Sequence, residues 1–302
     1  MIDRRPEPLP LFTASLSAAC ECANSAGCAA TGIFDRDYYD NMIAKPFRDG
    51  TIGEAPVLPG TGLFMPAGTA ATKDKGLFRR TVPEFHAETC TGCLECALVC
   101  PDAAIPNSVH EIHELLLTGI AELDLPPAQA EALRAQVYPL AERVREAYRQ
   151  TKESPAFHDL VAAAATGLPT DQPSLATNLG RLVETLAGYP VARTRPFFDA
   201  MEKQSAGTGG LFAATIDPWK CTGCLECVDV CGPHALVARD QDADLSTRLQ
   251  ERFEFMSRTP NTAARFHEGS TSPDGDIKRL FLDRGNYYAT TGATAGAAAV
   301  AR

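Results

Sequence analysis

The heptapeptide Cys-Thr-Gly-Cys-Leu-Glu-Cys occurs twice, at residues 90–96 and 221–227, and each copy is followed by a fourth cysteine, Cys100 or Cys231. This C-x2-C-x2-C-x3-C spacing is the run that wraps an iron–sulfur cube. Three thiolates on one tight loop occupy three corners of a [4Fe-4S] cluster, and the fourth lies too far round the turn, so it reaches the neighbouring cluster. Two such runs complete each other. The expected ligand sets are therefore Cys90, Cys93, Cys96 and Cys231 for one cluster, and Cys221, Cys224, Cys227 and Cys100 for the second. Gly92 and Gly223 suit a loop that curls over an inorganic core and brings its N–H groups toward sulfur.

Zinc is the competing ligand chemistry for any C-x2-C pair, but zinc sites usually take two well-separated pairs and leave a third and fourth cysteine at this spacing unexplained. Disulfides need an oxidising compartment. Residues 9–19 are mildly apolar and end at Cys20, yet Asp3, Glu7, Pro8 and Pro10 break the pattern of an export signal. A soluble, cytoplasmic protein is expected, since no apolar run approaches the roughly twenty residues of a membrane span. The other three of the eleven cysteines, Cys20, Cys22 and Cys28, match no ligand spacing and read as free thiols. His110 and His113 fall one residue short of the H-E-x-x-H zinc motif and read as surface histidines. Gly60-Thr61-Gly62 lacks the third glycine of a dinucleotide fingerprint, which argues against flavin or NAD binding.

The elements that must position the cysteines can be outlined from the same sequence. The chain has 302 residues, 45% hydrophobic and 22% charged, enough for one large or two modest domains. Its formal charge of -10 argues against a nucleic-acid partner and suits docking on other proteins. The expected fold class is α+β: a bacterial-type two-[4Fe-4S] ferredoxin-like core split by a mainly helical insertion, with an extended N-terminal arm. The arm covers residues 1–80, the dicluster domain 81–240 with its insertion at 102–210, and a C-terminal linker and flexible tail 241–302. Strands are expected at 82–85, 103–105, 211–216 and 235–238, paired between the two halves behind the clusters. Ser108 and Glu111 read as a capping box before a helix carrying Val109, Ile112, Leu116 and Ile120. A second stripe runs through Leu133, Val137, Leu140, Val144 and Ala147, kinked by Pro139. Further helices are expected near 175–186 and 246–256. Phe85 and Trp219 precede the cysteine runs closely enough to shield a cluster from water.

Several flanking stretches carry a resemblance. Asp49-Gly50-Thr51, Ala67-Gly68-Thr69-Ala70, Arg80 and Pro83-Glu84-Phe85 lead into the first run, which continues as Cys100-Pro101-Asp102-Ala103-Ala104-Ile105. Together they resemble the lead-in to the dicluster domain of pyruvate:ferredoxin oxidoreductases, a family in which a long insertion between the runs also recurs. Phe281-Leu282-Asp283-Arg284-Gly285-Asn286-Tyr287-Tyr288 is similar to the linker before the thiamine diphosphate domain of related 2-oxoacid oxidoreductases. The resemblance implies an electron-transfer component with two [4Fe-4S] clusters. It would receive single electrons from thiamine diphosphate on a partner domain or subunit and pass them to ferredoxin or a similar acceptor. Two departures stand out. Gly232 occupies the place after the last cysteine where proline is usual, so a different local turn is expected there. No C-x-G-C-G segment or Gly-Asp-Gly magnesium motif follows the linker, so this sequence is not expected to run decarboxylation by itself. The alternatives are a free-standing large dicluster ferredoxin and the iron–sulfur subunit of another redox complex.

Overall fold

In the computed structural model, residues 79–151, 154–168, 173–267 and 273–284 are described, together with Lys45 and residues 49–51. Most of the N-terminal arm, Cys20, Cys22, Cys28, residues 67–70, the second half of the linker-like stretch and the C-terminal tail lie outside them. The element order is β1 (Thr81–Phe85), α1 (Glu95–Val99), β2 (Asn107–His110), α2 (Ile112–Ala121), α3 (Pro127–Arg134), α4 (Val137–Gln150), α5 (Phe157–Ala165) and α6 (Pro173–Ala187). A π-helical turn (Arg195–Asp199) then leads into α7 (Ala200–Gln204), β3 (Leu211–Ala214), α8 (Glu226–Asp229), β4 (Leu236–Asp240), α9 (Ala243–Arg258) and α10 (Pro273–Leu282). The architecture is α+β, with small sheets beside a mass of helices.

Each sheet has two strands and takes one from each cysteine repeat. β1 runs antiparallel to β4, with Thr81 opposite Asp240 and Phe85 opposite Leu236. β2 runs antiparallel to β3, with Asn107 opposite Ala214 and His110 opposite Leu211. The strand expected at 103–105 starts later. Ala103 has a left-handed backbone with φ of 47°, and Pro106 has no N–H to give a ladder. The intervening carbonyls are still paired, because Ala104 O accepts from Asp217 N–H at 2.8 Å and Pro106 O from Thr215 N–H at 3.0 Å.

The β2–β3 sheet separates two apolar cores. Leu211 and Ala213 face a helical core with Leu115, Leu116, Leu140, Val144, Leu182 and Leu186. Val109, Phe212 and Ala214 face a second core that contains Cys100, Cys221 and Cys227. Alternation along a strand sends neighbouring side chains to opposite faces, so one short ladder serves both layers.

Helix starts differ from the sequence reading in two places. The capping box uses Glu111 and Glu114, each side chain meeting the other's backbone N–H. Ser108 is within β2 instead, three residues before the cap, and its hydroxyl meets His110 Nε2 and Tyr189 Oη. The stripe from Leu133 to Ala147 is broken into α3 and α4 at residues 135 and 136, and Pro139 sits in the first turn of α4. Proline is tolerated there because the first-turn N–H groups have no intrahelical acceptor. α9 begins at Asp242, whose carboxylate accepts from Leu245 N–H at 2.7 Å. It ends under Arg284, whose guanidinium donates to the carbonyls of Met256 and Ser257 at 2.8 and 3.0 Å and also to Thr259 O.

His110 is not at the surface. It is wholly buried on β2, with Nε2 2.7 Å from Ser108 Oγ and 3.2 Å from Tyr189 Oη. Burial, helped by the charge of Arg284, lowers its pKa to about 3. The imidazole is neutral in the folded protein but titrates near 6.5 when unfolded. Its contribution to stability is therefore complete above pH 6.5 and is lost as pH falls from there toward 3. Between pH 7 and 5 the loss should be about 2 kcal/mol. In His110→Phe, denaturant unfolding at the two pH values should show that part of the acid sensitivity gone; equal pH dependence in both proteins would refute the assignment.

Candidate iron–sulfur site

The two cysteine runs fold into nearly identical loops. Gly92 and Gly223 have φ of 71° and 73°, and the leucines two residues on, Leu94 and Leu225, have φ of 68° and 65°. Each leucine is the N-cap of a short helix, α1 or α8, that carries the third cysteine, Cys96 or Cys227. After the fourth cysteine, Ala103 and His234 are again left-handed, and their N–H groups donate to the carbonyls of Cys100 and Cys231 at 3.2 and 2.9 Å. The next N–H in each half, Ala104 or Ala235, points at the fourth cysteine's own Sγ at 3.2 Å. The expected change of turn at Gly232 does not occur. The turn is set by the left-handed residue three places after the cysteine, and a proline directly after the cysteine is not required for it.

The fourth cysteines lie with the opposite run. Burial pushes the Cys90 thiol up to about 12, against the Gly92 N–H that favours thiolate, and repulsion from Cys93 and Cys231 adds to the rise. Cys96 is raised by burial and then by Cys90 and Cys93, with Cys227 and Cys231 also contributing. In the other group, burial pushes Cys227 up to about 12, followed by repulsion from Cys100, Cys221 and Cys224. Cys100 is likewise raised by burial and by Cys221 and Cys224, against the N–H groups of Ala104 and Asp102. Cys90, Cys93, Cys96 and Cys231 line one recess, closed by Phe85, Phe212, Ala214 and Leu236.

These sulfurs suit a cluster in their chemistry. Without metal, the raised pKa values keep the buried thiols protonated at neutral pH, so binding must exchange protons for iron. Among the described residues, no three Cys, His, Asp or Glu side chains converge as they would around a single metal ion.

The surroundings of the loops differ more than the loops do. The second is fastened by Arg79, which donates from Nη1 to the carbonyls of Pro218 and Cys221 at 2.5 and 2.9 Å and from Nε to Gln241. Asp217 shapes the approach to Cys221, its carboxylate accepting from the N–H groups of Trp219 and Lys220 at 2.9 and 3.1 Å. Thr222 Oγ1 donates to Asp102 at 2.9 Å, linking the two loops directly. The first loop is backed by Thr194 and Phe197 beside Gly92. Phe85 lines the first recess as expected of a shield, while Trp219 packs edge-on against Phe253 of α9. Sequence reasoning did not single out Arg79, Asp217, Leu94 or Leu225. The leucines carry a signal, since they fall at the same place in the two repeats; Arg79 carries none, because its role depends on contacts more than a hundred residues away.

Residues 83–105 match a family model described as Fer4, the 4Fe-4S binding domain. The match defines an iron–sulfur segment of ferredoxin type. It supports an electron-transfer role with at least one [4Fe-4S] cluster. Comparison with curated proteins and with solved structures returned no match. Among the described residues, no helix is long and apolar enough to cross a membrane.

The glycines give a test of the loop geometry. A Cβ on Gly223 would collide with the Thr81 carbonyl oxygen, a backbone atom held in the β1–β4 ladder, whereas one on Gly92 would meet the side chains of Phe197 and Thr194 at 3.1 to 3.2 Å. Both substitutions also carry the strain of a left-handed alanine, about 1–2 kcal/mol. Gly223→Ala should lose one cluster's worth of iron and lower the thermal midpoint more than Gly92→Ala. Equal iron retention in the two variants would contradict this packing.

Proposed function

We propose that the chain is the dicluster electron-transfer component of a 2-oxoacid:ferredoxin oxidoreductase of the pyruvate-oxidising kind. One [4Fe-4S] cluster would be held by Cys90, Cys93, Cys96 and Cys231, and the second by Cys221, Cys224, Cys227 and Cys100. The observation that carries the two-cluster part is the position of Cys231 among the first-run thiols and of Cys100 among the second-run thiols. The 2-oxoacid context rests on the stretches around residues 49–51, 80–85 and 281–288 that resemble that family.

The bound clusters supply one-electron redox capacity. The protein's own part is to hold the eight thiolates, exclude water and orient N–H donors toward sulfur. Gly92, Gly223, Ala104 and Ala235 provide such donors. Apolar walls such as Phe85 and Phe212 limit solvent access to the first site. Thr222 and Asp102 join the two loops at their exposed rim and would help to set the distance between the sites. Electrons would arrive from a thiamine diphosphate site on another domain or subunit and leave to ferredoxin or a similar acceptor.

Anaerobic reconstitution should give about eight iron and eight sulfide per chain, as two cubes require. Cys100→Ser should perturb the signal of the cluster built on Cys221, Cys224 and Cys227 and spare the other. Stoichiometric zinc in place of iron, or damage confined to the Cys90 cluster, would overturn the ligand sets. In a second assay, coenzyme A-dependent reduction of a viologen dye by pyruvate should be absent with the chain alone and appear when a thiamine-binding partner is added. Turnover by the pure chain would refute this division of labour. Failure with every such partner, alongside ready reduction by unrelated reductases, would favour a free carrier.

A further inference from the structure

Asn107 carries a buried side-chain amide that has no partner among the described residues. Its side chain is 3% exposed, and neither Nδ2 nor Oδ1 has a hydrogen-bond partner among the described residues. A buried carboxamide without partners carries an uncompensated desolvation cost, so native proteins almost always supply a partner. Its position in the sheet puts its side chain on the face of β2 that packs toward the cysteine-lined core. Asn107 stands opposite Ala214, and Val109, on the same face, stands opposite Phe212. Phe212 and Ala214 line the recess that contains Cys90, Cys93, Cys96 and Cys231. The other face of β2 is already satisfied, because Ser108 and His110 bond to each other and to Tyr189 there.

The geometry points to the Asn107 carboxamide N–H as a donor to a sulfur of the cluster held by Cys90, Cys93, Cys96 and Cys231. The inference rests on the ligand sets proposed above. A donor to sulfur stabilises the extra negative charge of the reduced cluster and so raises its reduction potential. The repeat makes this donor one-sided. The residue at the same place in the second half is Ala238, which is exposed on β4 and has no polar side-chain atom. Asn107 is thus a positioning and tuning residue for one cluster only, and it makes two sites with matching loops electronically unequal.

Asn107→Leu keeps the size and removes the donor. With both clusters present by iron analysis, an EPR-monitored redox titration should find the midpoint of the Cys90 cluster shifted to more negative potential and that of the Cys221 cluster unmoved. The wild-type protein provides a second readout that does not depend on the variant folding. When it is labelled with 15N-asparagine and partly reduced, pulsed EPR should detect a weakly coupled 15N nucleus at the Cys90 cluster. Full iron content with unchanged midpoints and no 15N coupling would overturn the role of Asn107 and leave the ligand sets intact, the amide then being satisfied by water. A Cys231→Ser variant that left the Cys90 cluster unperturbed would instead overturn the ligand sets on which the inference stands.

Discussion

The antiparallel pairing of strands from the two cysteine repeats is the constraint on which the rest of the structure depends. Among the described residues neither repeat makes a sheet alone, because β1 pairs with β4 and β2 with β3. Closing these two ladders brings residues far apart in sequence into register, and the fourth cysteine of each run is carried across with its strand. The crossed arrangement of thiols is therefore a consequence of main-chain hydrogen bonding. The ladders also have to be closed against the chain entropy of the long connection between them, which grows only slowly with loop length. That slow growth makes the helical layer between the repeats tolerable, provided its ends return to nearly the same place. Glu202 helps to secure that return. Its carboxylate accepts from the N–H groups of Gly207 and Gly209 and from Arg149 of α4, so the segment entering β3 is tied to the helices.

Much of the site was legible because its signal is local. A cysteine spacing, a glycine two places after the first cysteine and an apolar residue ahead of the run are each fixed by geometry within a few residues, and the repeat states them twice. The amphipathic helices were legible for a similar reason, since burial of one face imposes a period that survives in the sequence. What could not be read depends on tertiary contact. His110 looked like a surface residue beside His113, but its strand is covered on one face by Tyr189 and its neighbours, a placement no short window encodes. The reading of Ser108 as a cap failed because Glu111 competes for the same role with a partner, Glu114, at the right spacing. Pro139 was expected to kink one helix and instead sits in the first turn of another, since the stripe from Leu133 to Ala147 is continuous only in its hydrophobic pattern.

The loops are alike, yet what backs them is not. The first is held by an aromatic ring and a threonine drawn from the helical segment, the second by a buried arginine just ahead of β1. Matching backbone geometry with different neighbours allows the two halves to keep one loop form while they acquire separate properties. The differences lie in the residues that touch the loops from outside, where the local motif places no demand.

The β2–β3 ladder has apolar residues of the helical core on one face and residues of the cysteine-lined core on the other. Emptying the cysteine-lined side would leave Phe212 and Ala214 beside a void and weaken the same four-residue strands that anchor Leu211 and Ala213. Iron starvation would then be felt well away from the cysteines, as loosening of the helices and exposure of their backbone to proteases. Cofactor loading would thereby be coupled to the stability of the helical layer, through the two faces of one four-residue ladder.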